Sequence, residues 1–199
     1  VANIIQEDYG YSFFWKVLNT CDYTKVPQNR ERTFMIAFKD EVNWRFSPKG
    51  TMSSRFYKNF PPQKLNSPNP IQNYLETGEI DDVFFYRQDK YMYPELRKVM
   101  QSQDTLYQWR RKYVRENKSN LCPTLTANMG TGGHNVPLVL TDDGMRKLTP
   151  RECFNFQGYP KSFKFPADMA NSHLYKQAGN SVSVPLIAKL AKLIKKIIS

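Results

Sequence analysis

Apolar positions fall in short runs whose spacing changes along the chain, and the pattern is most regular at the C-terminal end. Leu186, Ile187, Leu190, Ala191, Ile194 and Ile198 share one face at helical spacing, with Lys189, Lys192, Lys195 and Lys196 mostly on others. Pro185 suits the first position of such a helix, so the spacing predicts a terminal helix that docks on an apolar surface. At the other end, residues 1–9 have helical spacing and residues 11–17 read as a strand. Thr33-Phe34-Met35-Ile36-Ala37-Phe38 reads as a buried strand, giving a small sheet-and-helix unit. Residues 71–76 and 93–103 have helical spacing, whereas Val83-Phe84-Phe85-Tyr86 reads as a short strand. From 45 to 70 the composition shifts to Pro, Ser, Asn and Lys, with Pro61-Pro62 and Pro68-Asn69-Pro70, which predicts a loop or linker and a domain boundary. The sequence has no internal repeat.

Thr149 and Glu152 stand three apart as a capping box, with Pro150 at the first helical position between them. Gly158 suits the left-handed residue that closes a helix, and Pro160 cannot continue one. A rigid helix of roughly two turns is expected from Pro150. Gly179-Asn180 predicts a sharp backbone turn and a close approach to a neighbouring segment.

Composition narrows the partner without choosing it. A chain of 199 residues that is 40% hydrophobic can bury one sizeable core or two small ones, and its formal charge of +11 favours a polyanion. A nucleic acid and an acidic membrane surface both remain open on charge alone. Cys21, Cys122 and Cys153 form no close pair, which argues against a disulfide framework and a zinc site and fits a reducing, cytoplasmic setting. His134 and His173 are isolated, so no metal site is expected. No apolar run approaches the length of a membrane span, and no signal-peptide pattern is present. The chain begins with Val1, which reads as a cut piece or a processed end.

Residues 107–118 interleave Tyr107, Trp109 and Tyr113 with Arg110, Arg111, Lys112, Arg115 and Lys118. This combination suits stacked bases and neutralised phosphates, and equally a solvated basic strand. Asn128-Met129-Gly130-Thr131-Gly132-Gly133-His134-Asn135 follows, a glycine-rich loop able to press its backbone into a groove. It lacks the strand, glycine spacing and helix of a dinucleotide-binding fingerprint.

Three blocks in one order carry a resemblance to a known family. Val26-Pro27-Gln28-Asn29-Arg30-Glu31-Arg32 resembles the eighth motif of DNA cytosine-5 methyltransferases, residues 146–160 the ninth, and Gln177-Ala178-Gly179-Asn180-Ser181-Val182 with Pro185 the tenth. Pro123-Thr124-Leu125-Thr126-Ala127 is similar to the Thr-Leu element of the family's target-recognition region. The resemblance implies an α/β fold, a C-terminal piece of an S-adenosylmethionine-dependent methyltransferase domain plus a smaller mixed α+β target-recognition domain. Residues 1–45 and 174–199 would belong to the former and residues 46–173, ninth motif included, to the latter.

It also implies roles. Arg32 would line the pocket of the flipped cytosine, with Gln28 and Arg30 supporting that pocket and nearby backbone. Asn180 and Ser181 would border S-adenosylmethionine. Thr124 would contact a phosphate, Thr126 and Asn128 would reach bases, and Arg110, Arg111 and Arg115 would bind double-stranded DNA. The ninth-motif helix would mainly organise the recognition region, with Arg151 reaching either a phosphate or a carboxylate.

Methylation of C5 needs a thiolate, a carboxyl near N3 and a bound methyl donor. Cys21, Cys122 and Cys153 do not follow a proline, as the family's nucleophile does, and the Glu-Asn-Val and Phe-x-Gly-x-Gly motifs are absent. The resemblance therefore implies a recognition and cofactor-closing portion, bacterial and of the restriction-modification type, inactive alone and partnered by an N-terminal catalytic half. A non-catalytic DNA- or RNA-binding derivative of such an enzyme is the rival reading.

Overall fold

The computed structural model describes residues 1–39, 52–65, 67–110, 112–131 and 135–198. After a π-helical turn at Ile4–Asp8, β1 (Ser12–Asn19) pairs antiparallel with β2 (Glu31–Phe38), in register from Ser12 opposite Phe38 to Asn19 opposite Glu31. The one-turn helix α1 (Thr20–Tyr23) leaves β1. Contrary to the expected buried strand, Phe38 is the only β2 residue that is fully buried, and Trp15 and Met35, directly opposite each other, are 60% and 58% exposed. Successive side chains point to opposite faces of a strand; the face of Phe14 and Phe38 is covered, whereas the other, apart from the buried Phe13, is open at Trp15, Val17 and Met35.

That covered face explains two helices. α2 (Met52–Asn59) forms inside the segment expected to be a linker, because Phe56 inserts fully between Phe14 and Phe38, with ring centroids 5.0 and 5.2 Å away. One buried aromatic outweighs a loop-like composition, since such a ring removes a large apolar area from water. α6 (Val184–Ile198) docks as its stripe predicts. Leu186 and Leu190 pack with Leu18 and Tyr23, and Leu193 and Ile194 pack against Phe14, Phe38 and Phe56. Ile187 remains 38% exposed, so the contact stripe is narrower than the apolar one.

A second sheet has the order β4-β3-β5-β6, from β3 (Tyr107–Arg110), β4 (Tyr113–Glu116), β5 (Leu138–Thr141) and β6 (Gly144–Lys147). The helix α3 (Tyr93–Val99) covers it, placing Leu96, with Met92 and Met100 beside it, against Tyr107, Val114 and Leu138. α3 stops short of residue 103 because the Tyr107 hydroxyl accepts from the amides of Gln101 and Ser102, at 3.3 and 2.9 Å. The strand expected at 83–86 is instead a 3-10 turn, Asp82–Phe84. The Asp81 carboxylate caps it by accepting from the Val83 amide at 3.0 Å, and only Phe85 and Tyr86 reach β6.

The capping box forms as expected. In α4 (Pro150–Asn155) the Thr149 hydroxyl accepts from the Glu152 amide at 3.1 Å, and the Thr149 amide donates to Glu152 at 2.8 Å. Gly158 takes φ 81°, and a Cβ there would lie 2.4 Å from Pro185, so this turn sits against the start of α6. Gly179 and Asn180 do not make a turn of their own; they close α5 (Asn171–Asn180). Among the described residues, no helix is long and apolar enough to cross a membrane.

Candidate nucleic-acid interface

The eighth-motif segment, the Thr-Leu element and the end of α5 meet at one guanidinium. Arg30 is buried; its Nη1 donates to the Leu125 carbonyl at 2.8 Å, and its Nη2 to the carbonyls of Gly179 and Ser181 at 3.1 and 2.7 Å. Burial, and secondarily the Arg32 charge, pull its pKa down to about 10, which leaves it charged at neutral pH. Carbonyl oxygens on two distant segments are thus tied by charge-assisted bonds, each stronger than a neutral one.

Backbone pairing extends the same junction. The Cys122 amide donates to the Pro27 carbonyl at 2.6 Å and the Asn29 amide to the Cys122 carbonyl at 2.8 Å, beside a parallel bridge between Gln28 and Cys122. Gln28 is fully buried there and serves through its backbone; its amide finds no hydrogen-bond partner among the described residues. On the other side, α5 presses against the 3-10 turn Ala127–Gly130. A Cβ on Gly179 would fall 2.2 Å from the Thr126 carbonyl carbon, and one on Gly130 would fall 2.2 Å from the Ser172 oxygen.

This junction leaves other predicted residues outward. Arg32 is exposed, and among the described residues its Nη1 donates to the Glu31 carbonyl alone, at 2.6 Å. Asn180 is exposed. Ser181 is half-buried, its hydroxyl donating to the Ala178 carbonyl at 2.9 Å. Thr124, Thr126 and Asn128 line a polar cleft of about 390 Å³ together with Asn29, Gln108, Arg110 and Arg115. A wider cleft of about 940 Å³, lined by Tyr91, Trp109, Lys112 and Tyr113, shares Arg110 and Asn128 with it. Arg111 lies outside the described residues, as do Gly132, Gly133 and His134.

The interleaved segment resolves into two faces. Gln108 is opposite Arg115 and Arg110 opposite Tyr113, so these four share one side of the β3–β4 hairpin. Tyr107, 1% exposed, and Val114 point into the core beneath, with Trp109 partly buried against it. Tyr107 is therefore a packing residue, Trp109 is partly buried against the core and still lines the wider cleft, and Tyr113 rises from the same face as Arg110 and Arg115. Alternation carried that information, because a strand sorts its side chains with a period of two.

Asn29 and Gln108 join the cleft without belonging to the residues that the family resemblance marks for DNA. Spacing of two from Arg110 was the available signal for Gln108; nothing local marks Asn29, whose carbonyl accepts from the Thr124 hydroxyl at 2.6 Å. Arg151 pairs with no carboxylate among the described residues; its guanidinium lies 3.9 Å from the centroid of the Phe165 ring.

The cysteines are poor nucleophiles. Burial pushes the thiols of Cys122 and Cys153 well up, and burial followed by the adjacent Asp22 charge pushes Cys21 up to about 11. A nucleophilic cysteine needs the opposite, a depressed pKa. At pH 8, iodoacetamide is expected to modify native protein far more slowly than protein in denaturant, where all three free cysteines react. Mass spectrometry reads the count, and rapid native labelling of any one near neutral pH would contradict the assignment. The folded state holds the Cys21 proton more tightly than the unfolded chain, so this contribution to stability is complete below about 9 and is lost as pH rises towards 11.

The chain is similar to known proteins over nearly its whole length. The family described as C-5 cytosine-specific DNA methylase matches residues 2–196. Type II methyltransferase M.Bsp6I of Bacillus sp. (strain RFL6) is 50% identical over 196 residues, which cover 96% of this chain and 57% of that protein. Type II methyltransferase M.HhaI of Haemophilus parahaemolyticus is 32% identical, covering 96% and 55% respectively. The chain thus spans little more than half the length of these curated relatives. Among solved structures, the S. pombe Dnmt2 methyltransferase shares the fold, with a TM-score of 0.67 over 98% of this chain and 61% of that one at 16% identity. With its eighth- and tenth-motif segments and the Thr-Leu element joined at Arg30, and with the family matching residues 2–196, the chain belongs to the C-5 cytosine-specific DNA methylase family.

Proposed function

We propose that this chain is the DNA-recognition and cofactor-closing portion of a DNA (cytosine-5)-methyltransferase of the restriction-modification kind. It works with an N-terminal half that supplies the nucleophile. The observation that carries this reading is the Arg30 clasp, which joins the segment bearing Arg32, the Thr-Leu element and the Asn180–Ser181 edge into one unit. In this reading Arg32 donates to the flipped cytosine, while Arg30 and Gln28 position its segment. Thr124, Arg110, Arg111 and Arg115 hold phosphates, and Thr126 and Asn128 face base edges.

Residues 1–45 and 174–199 complete a methyltransferase domain, and residues 46–173 form the recognition domain. The exposed apolar pair Trp15 and Met35, with Val17 49% exposed beside them, is the face against which the N-terminal half packs. S-adenosylmethionine supplies the methyl group when that half is present. The residues here fit its edge: Asn180 offers an exposed amide and Val182, 51% exposed, an apolar surface, as an amino-acid-bearing nucleoside requires.

The chain alone is expected to bind duplex DNA and methylate nothing. With about six phosphate contacts, affinity should fall on the order of a thousandfold between 50 and 200 mM salt; fluorescence anisotropy with a labelled duplex measures the slope. Mixing the chain with an N-terminal half carrying the Pro-Cys and glycine-rich motifs, plus radiolabelled methyl donor, should restore transfer. A stable complex that transfers nothing to any duplex would favour a non-catalytic binding protein.

A further inference from the structure

Gln108 stands among the residues of the polar cleft with its amide already oriented. It sits opposite Arg115 in the β3–β4 ladder and two residues before Arg110, so all three side chains rise from one face. Its Oε1 accepts from Arg115 Nη2 at 2.9 Å and from Arg110 Nη2 at 3.2 Å. A guanidinium can only donate, so the carbonyl end must face the two arginines, and both of its lone pairs are engaged. The amide's two N–H groups make no hydrogen bond among the described residues.

The threonine hydroxyls of the cleft have already given their protons to neighbours. The Oδ1 of Asn128 accepts from the Thr126 hydroxyl at 2.5 Å, leaving its amide N–H groups outward, and the Thr124 hydroxyl donates to the Asn29 carbonyl at 2.6 Å. Among the described residues, no carboxylate lines the cleft. The free side-chain donors at the cleft are therefore amide and guanidinium N–H groups, those of Gln108, Arg110 and Arg115 foremost, while the Thr124 and Thr126 hydroxyls can only accept. In the major groove guanine presents two adjacent acceptors, O6 and N7, thymine a single acceptor beside its methyl group, cytosine a donor and adenine one of each, so two N–H groups are both met by guanine alone.

We propose that Gln108, held by Arg110 and Arg115, is a specificity-determining residue that selects guanine in the duplex bound by this cleft. The inference rests on the proposed DNA-binding role and goes beyond it by naming the base and the residue that reads it. Arg110 and Arg115 then have two tasks: their remaining N–H groups meet phosphates, and each fixes the glutamine so that no amide rotation can present an acceptor. An unpinned glutamine could turn over and accept adenine as readily.

Selection from a pool of random duplexes on the immobilised chain at low salt, followed by sequencing, tests this. Wild-type protein should enrich guanine at a defined position, and 7-deazaguanine placed there should weaken binding about tenfold. Gln108→Glu keeps an acceptor for both arginines but has no donor, so the enriched base should change from guanine to cytosine. Gln108→Leu should flatten the preference without inverting it. An unchanged consensus for Gln108→Glu, including one with uniformly weaker retention as expected of a phosphate contact, would overturn the proposal. So would wild-type retention of duplexes without any base preference. Failure of the wild-type chain to retain any duplex would instead overturn the DNA-binding reading itself.

Discussion

Glu152→Ala should destabilise the protein by about 4 kcal/mol, measured by urea unfolding followed by circular dichroism. Glu152 is fully buried and its carboxylate makes a two-pronged pair with Arg146, Oε2 to Nη1 and Oε1 to Nη2, both at 2.7 Å. The same oxygens accept from the amides of Thr149 at 2.8 Å and Glu76 at 2.9 Å. Alanine would leave the Arg146 guanidinium, itself 2% exposed, as an unpaired charge in the interior, and two backbone donors without acceptors. It would also remove half of the capping box at α4, worth about 1 kcal/mol by itself. Arg146→Met with Glu152→Gln should lose much less than Glu152→Ala, because an amide can still accept from Thr149 and no buried charge is left. A double variant as unstable as the single one would mean that the charge pair itself, and not its half-removal, carries the stability.

Gly179→Ala should cost about 2 kcal/mol net and weaken duplex binding, although alanine is the better helix former by about 1 kcal/mol. The helical gain is outweighed because the added Cβ would sit 2.2 and 2.3 Å from the carbon and oxygen of the Thr126 carbonyl and 2.4 Å from the Ala127 amide nitrogen. These are backbone atoms of the element that carries Thr124, Thr126 and Asn128, and they cannot turn aside as a flexible side chain would. α5 must therefore move away from the 127–130 turn, carrying with it the Gly179 and Ser181 carbonyls that Arg30 binds. Thermal unfolding and anisotropy on the same samples separate the two effects. A variant more stable than wild type would show that α5 and the turn are not in the contact described.

Much of the site was legible because its signals are local. The Thr149–Glu152 box, Pro150 and the stop at Gly158 depend on residues within one or two turns, and each forms where its spacing places it. The Leu186–Leu190 stripe likewise encodes its own buried face. The misreadings are of a different kind. The 45–70 segment has the composition of a linker, and only the aromatic cage of Phe14, Phe38 and Phe60 turns Met52–Asn59 into a packed helix around Phe56. Val83-Phe84-Phe85-Tyr86 has strand-like residues, but the Asp81 cap reverses the local preference at Asp82–Phe84. Arg151 acquires its partner from Phe165, which no spacing rule connects to it.

The sequence by itself determined the family-like order of three motifs, the apolar face of the last helix and the ends of the ninth-motif helix. These follow from periodicity and from hydrogen-bonding groups a few residues apart. Only the tertiary structure decided which charged side chains are spent within the fold and which face outward. Arg30 is consumed by carbonyls at 125, 179 and 181, Arg146 by Glu152, and Gln108 is turned by Arg110 and Arg115, while Arg32 remains exposed. The physical reason is that a guanidinium binds whichever acceptors surround it in space, and segments about 95 and 150 residues apart become neighbours only when the chain has closed.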